Sequence, residues 1–198
     1  MSDITFYLHI GLPKTGTTSL QHFLKRNQKA LLAQGCLYPS TGLTEYDNHA
    51  YVRFLATDYT YWAFYIVFKM IRYTDWYVRR HSITSFRDEL FREIDQSKAR
   101  CVVLSSEWFG VLMTQRSLRK LRRLLHPHRV VPVIYLRRQD ELALSLYAEW
   151  VKDVSVRLSR DFNPQFMRRL PFMNFYNLYR RWAKQFGKEN IVIRLYED

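Results

Sequence analysis

Residues 4–10 (ITFYLHI) form a short apolar run that passes straight into Gly11-Leu12-Pro13-Lys14-Thr15-Gly16 and then, from Thr17, into a segment with apolar residues at helical spacing. The run is β-branched and aromatic, as a buried strand requires. A strand that turns within a few residues into a helix aims several backbone N–H groups, and the positive end of the helix dipole, at one point. That point binds phosphate or a similar anion. Gly11 and Gly16 let the backbone approach closely or take a positive φ, and Thr17 and Thr18 add hydroxyl donors in the first turn.

The rest of the chain repeats the alternation of strand and helix. Residues 100–105 (RCVVLS), 130–136 (VVPVIYL) and 191–195 (IVIRL) read as further buried strands, and Pro132 suits an end or edge position. Helical patterns cover 17–32, 49–57, 60–98 with a break near 81–84, 117–125, 139–152 and 172–186, the last closed by Gly187. Residues 35–48 read as loop. This alternation predicts an α/β fold, a parallel β-sheet flanked by helices on both faces. No repeat, low-complexity tract or Gly/Ser-rich linker interrupts it, so residues 1–198 read as a single domain. The stop at Asp198, directly after a buried-type strand, suits a short or minimal version of such a fold.

Charge says which partners to expect. Lys and Arg total 31 against 18 Asp and Glu, a net +13, which favours an anionic partner: a phosphorylated cofactor, an acidic polymer, nucleic acid or a membrane surface. With 47% hydrophobic residues the chain is not a disordered tail. No apolar run approaches the roughly 18 residues a membrane helix needs, and MSDITFYLHIGLPK has no leader character. Cys36 and Cys101 cannot build a disulfide framework; Cys101 reads as a buried core residue, in keeping with a reducing, cytoplasmic setting. His, Cys and carboxylates show no metal-ligand spacing, so no metal is expected.

The Gly11-x4-Gly16 spacing matches the nucleotide-binding loop of kinases and ATPases, yet Thr17 stands where that loop has lysine, and Lys14 lies inside the loop instead. This weakens a small-molecule kinase and favours a different phosphate ester. Pro13-Lys14-Thr15-Gly16-Thr17-Thr18 resembles the 5′-phosphosulfate loop of sulfotransferases that use 3′-phosphoadenylyl sulfate (PAPS). A second segment agrees. Tyr135-Leu136-Arg137-Arg138-Gln139-Asp140-Glu141-Leu142-Ala143-Leu144-Ser145 is similar to the strand–Arg…Ser–helix motif with which that family holds the 3′-phosphate. The style of HIGLPKTGTTSLQ resembles bacterial and carbohydrate-type members.

The resemblance implies a nucleotide-binding (P-loop NTPase-like) sulfotransferase fold. It implies transfer of a sulfuryl group from PAPS to an acceptor hydroxyl, for which the carbohydrate-type style suggests a carbohydrate, with adenosine 3′,5′-bisphosphate (PAP) as product. Lys14, Thr15, Gly16, Thr17 and Thr18 would hold the 5′ end, Arg137 and Ser145 the 3′-phosphate, and Lys14 would also neutralise the leaving oxygen. Tyr196, in Leu195-Tyr196-Glu197-Asp198, matches a segment whose Tyr touches adenine in some members.

Glu107 ranks first as the base that activates the acceptor, since it lies just past a buried strand at the sheet edge where ligands of such folds bind. A helix-start carboxylate facing the dipole is its plain alternative. His49 ranks second, and His9 reads as structural. The rival functions are the ATP-dependent kinase and a non-enzymatic binder of acidic polymer or nucleic acid. Arg116, Arg119, Lys120 and Arg123 read as the solvated face of an amphipathic helix, with an acidic glycan or a membrane surface as the alternative partner, and Arg168-Arg169 and Arg180-Arg181 read the same way. The aromatic segment 59–68 suits core or dimer contact, which leaves a homodimer open.

Overall fold

The computed structural model describes residues 4–56, 82–111, 113–152 and 161–197. Five parallel strands, β1 (Thr5–Gly11), β2 (Cys36–Leu37), β3 (Cys101–Ser106), β4 (Arg129–Leu136) and β5 (Val192–Leu195), form one sheet in the order β2-β3-β1-β4-β5. The helices are α1 (Thr17–Arg26), α2 (Gln28–Ala33), α3 (Ala50–Ala56), α4 (Ile83–Ser97), α5 (Gln115–Leu125), α6 (Gln139–Lys152), α7 (Pro164–Arg168) and α8 (Phe175–Phe186). This is the α/β architecture that the alternation predicts.

One side of β1, made by Phe6, Leu8 and Ile10, is fully buried. It packs in one core with Phe86, Leu90 and Ile94 of α4, Leu118, Leu121 and Leu125 of α5, and Leu178 and Trp182 of α8. Each such side chain contributes roughly 1.5–3 kcal/mol by leaving water. The other side is less covered: Tyr7 is 38% exposed.

Register positions the site. Ile10 lies opposite Ser106 of β3 and Ile134 of β4, and Gly11 lies opposite Tyr135. The carboxyl ends of the three central strands are therefore level, and the loops bearing Lys14, Glu107 and Arg137 leave the sheet side by side.

Several local expectations change. The helix over 17–32 divides at Asn27, whose side chain donates to the Phe23 carbonyl over 2.8 Å and ends α1. β2 arises within the stretch read as loop; two residues are too few to show alternation. β4 is an interior strand, but β5 pairs with it only from Val133 onward, so Pro132 has a strand on one side alone. The pattern over 172–186 splits because Asn174 caps α8 through the Asn177 N–H, leaving Pro171–Met173 as a separate 3-10 turn. β5 is an exposed edge rather than a buried strand, with Ile193 and Leu195 43% and 50% exposed. Cys101 is half-buried beside its register partner Cys36, not a core residue. The aromatic segment 59–68, and the part of the long helical pattern over 60–81, lie outside the described residues. No described helix is long and apolar enough to cross a membrane.

Candidate functional site

The loop after β1 is shaped by its backbone. Gly16, the N-cap of α1, has φ 71° and no side chain caps the helix, nor does any acidic residue stand in its first turn. The first N–H groups of a helix have no intrahelical partner, and here no side chain caps them. Lys14 also takes a left-handed conformation, φ 63°, which costs a non-glycine residue on the order of 1 kcal/mol. Thr15 Oγ1 donates to the Leu12 carbonyl over 2.6 Å and closes the turn. A Cβ on Gly11 would lie 1.7 Å from Thr17 Cγ2, so glycine is what lets β1 pass beneath α1. Thr15 and Thr17 are buried, whereas Thr18 is exposed.

Glu107 opens a 3-10 turn immediately after β3, with Ser106 as its cap. Thr17 Oγ1 donates a short hydrogen bond to Glu107 Oε1. Burial holds the Glu107 carboxyl above the ordinary carboxylate range; the Thr17 hydrogen bond opposes this, the Glu149 charge adds to it and the Lys14 charge subtracts. Lys14 Nζ lies 3.6 Å from Glu149 Oε1, a half-exposed pair of small energetic weight. One lysine thus faces two carboxylates.

Arg137 follows β4 directly. Its Nη1 donates to the Lys14 carbonyl over 3.1 Å, its Nε to Glu141 over 3.4 Å, and Glu197 lies 3.9 Å away. The guanidinium sits 5.2 Å from the Tyr196 ring centroid, and that same ring lies against Gly16, where an added Cβ would meet Cε2 at 2.8 Å. Tyr196 is held there by its N–H, which donates to the Leu136 carbonyl over 2.8 Å. Lys14, Gly16, Arg137 and Tyr196 therefore form one cluster. Ser145 is half-buried in the second turn of α6, and its hydroxyl bonds no described residue.

The two histidines lie deeper. His49 is fully buried; Nε2 donates to the Pro39 carbonyl over 3.0 Å and Nδ1 accepts from the Ser105 N–H over 3.2 Å. Both ring nitrogens are thereby used. His9 Nδ1 pairs with Ser105 Oγ over 2.7 Å, and Gln21 Nε2 donates to the same hydroxyl over 3.1 Å. Burial lowers both imidazoles to about 4, so they are neutral at pH 7. No trio of His, Cys, Asp or Glu able to hold a metal occurs among the described residues.

No protein-family model matches the sequence, and no curated protein does. Solved structures do match. The sulfotransferase of Alicyclobacillus acidocaldarius superposes with a TM-score of 0.58 at 17% identity, over 100% of this chain and 74% of that one. The fold is that of a sulfotransferase. The sulfotransferase domain from the curacin biosynthetic pathway agrees, with a TM-score of 0.51 at 14% identity, over 100% of this chain and 68% of that one.

Within this sulfotransferase fold, one sheet edge gathers Lys14, Thr15, Gly16, Thr17, Thr18, Glu107, Arg137 and Tyr196, and Ser145 stands on the helix that follows. His49 lies in the core instead. Glu149 escaped the sequence reading, although it lies one helical turn beyond Ser145 on the same face of α6, a spacing that could have found it. The Thr17–Glu107 pairing had no signal at all in the linear order.

Proposed function

We propose that the chain transfers a sulfuryl group from PAPS to an acceptor hydroxyl, releasing PAP. The observation that carries this reading is the uncapped start of α1 with Arg137 tied to the carbonyl of Lys14, the lysine of the same loop. Two anion-seeking groups, on the loops that leave the adjacent carboxyl ends of β1 and β4, then serve one doubly phosphorylated nucleotide. The residues fit it. The first-turn amides of α1 and the Thr18 hydroxyl suit the 5′-phosphosulfate. The Nη2 of Arg137, which bonds no described group, and the Ser145 hydroxyl suit the 3′-phosphate.

Glu107 is the base in this reading. Its raised proton affinity brings it nearer the neutral range in which a base works best, and it adjoins the lysine that faces the leaving group. Its carboxylate takes the acceptor hydroxyl proton as the acceptor oxygen bonds to sulfur and the bond from sulfur to the 5′-phosphate oxygen breaks. Lys14 offsets the charge growing on that oxygen. His49, with both nitrogens engaged in the core, has no lone pair to offer.

The kinase reading fares worse. Thr17 stands where a kinase loop has its lysine, and its hydroxyl is engaged by Glu107. Calorimetry separates the two. PAP should bind at least tenfold more tightly than AMP or ATP, and labelled PAPS should pass its sulfate to an acceptor without added metal. Equal affinity for AMP and PAP, or Mg²⁺-dependent ATP turnover, would overturn the proposal.

A further inference from the structure

The basic pairs that the nucleotide does not use come together in the folded chain. Arg168 and Arg169 at the end of α7, and Arg180, Arg181 and Lys184 of α8, line one open groove of about 570 Å³. No described carboxylate lines it, and none of these five cations is paired with a described acid. Arg181 Nε is buried without a hydrogen-bond partner, and its burial lowers the proton affinity of the guanidinium. Five like charges on one wall repel one another and cost stability unless an anion joins them.

The groove's volume falls within the roughly 300–1,000 Å³ typical of ligand sites. Gln115 at the start of α5 and Asn177 in the first turn of α8 place two helix N-termini along it, which add positive potential. Gln115 is fixed there: it donates to the Arg181 carbonyl over 3.1 Å and accepts from Gln185 over 2.6 Å. The rim of the groove is tied to the segment that follows β4. Gln139, just after Arg137, donates to the Met173 carbonyl over 2.6 Å, next to Asn174 on the groove's wall.

We propose that this groove binds an acidic oligosaccharide, carboxylated or sulfated, as the extended part of the acceptor; its role as an acceptor subsite rests on the transferase reading, its binding does not. Guanidinium groups bond carboxylate and sulfate oxygens in pairs. The amides of Asn174 and Asn177 suit hydroxyls, and Leu170 and Pro171 offer an apolar edge to a sugar ring. A single-stranded nucleic acid would need aromatic platforms, and no aromatic side chain among the described residues lines this groove. The ring of neighbouring Tyr176 carries the Arg180 guanidinium 5.6 Å above it.

The test is calorimetry on the full chain with a sulfated hexasaccharide, a neutral hexasaccharide of the same length, and an oligothymidylate. The variant is Arg169→Ala/Arg180→Ala, two exposed positions whose loss leaves the core intact, with circular dichroism to verify folding. Wild type should bind the sulfated sugar, weaken steeply with salt, and ignore the neutral one. The double variant should bind about tenfold or more weakly while its affinity for PAP stays unchanged. Equal binding by the variant, or tighter binding of oligothymidylate than of the sulfated sugar, would overturn the groove assignment. Sugar binding without PAP binding would sink the transferase reading and leave the groove standing.

Discussion

Arg137 Nη1 donates to the carbonyl of Lys14 over 3.1 Å, so the end of β4 is tied to the loop after β1 by the very residue whose charge faces the site. Lys14 itself holds a left-handed backbone, φ 63°. Arg137→Ala should therefore weaken PAP binding by about tenfold to a hundredfold, the worth of one or two charge-assisted hydrogen bonds, while AMP binding changes little. Competition calorimetry reads the ratio; a preserved preference for PAP would place the 3′-phosphate elsewhere.

Thr17→Val removes the hydroxyl that bonds Glu107 and keeps the side chain's shape. That bond favours the ionised carboxylate, so its loss should raise the carboxyl further. The acid limb of the turnover–pH profile should move upward. An unmoved limb would mean that Glu107 is not the group titrating.

Glu107→Gln should leave PAP affinity within about twofold and lower turnover by roughly 10²–10⁴. It also has a stability signature. The folded chain holds the Glu107 proton more tightly than the unfolded chain does, so stability is lost as pH rises through the raised value. The variant should thus gain on wild type in urea melts at pH 7, and the gain should shrink toward zero below the ordinary value of 4.5.

Gly16→Ala meets two obstacles: φ 71°, and the Tyr196 ring at 2.8 Å from the new Cβ. A cost of about 1–3 kcal/mol is expected, with displacement of Tyr196. Tyrosine fluorescence and thermal melts would detect both, and a variant as stable as wild type would show the loop to be free to rearrange.

His9 and His49 resist protonation in the fold, from an ordinary 6.5 down to about 4. The unfolded chain takes up those protons first, so stability should fall as pH drops from 6.5 to 4 and the slope should ease below that. His9→Asn should lose less over the same interval. Parallel stability–pH curves for the two proteins would show that His9 contributes nothing to the acid sensitivity.

The site was legible where its residues are local. Gly11 to Thr18 carry their meaning in consecutive positions, because a strand, a turn and a helix start need those residue types in that order. The places of Arg137 at a strand end and of Ser145 on the helix beyond were legible for the same reason. Pairings between distant segments were not. Nothing in the order of residues tells that Thr17 bonds Glu107, that Lys14 faces Glu149, or that His49 is enclosed with both nitrogens engaged. The exposure of β5 was hidden too, since an apolar strand reads alike at the centre and at the edge of a sheet.

By itself the sequence determined the parallel α/β class and the strand–turn–helix loop from Gly11 to Thr18, since backbone periodicity and turn chemistry are short-range properties. Only the tertiary structure decided which strands are central, which carboxylate meets the lysine, and that four arginines and a lysine share one wall, because those depend on strand register and helix packing that bring together residues far apart in the chain.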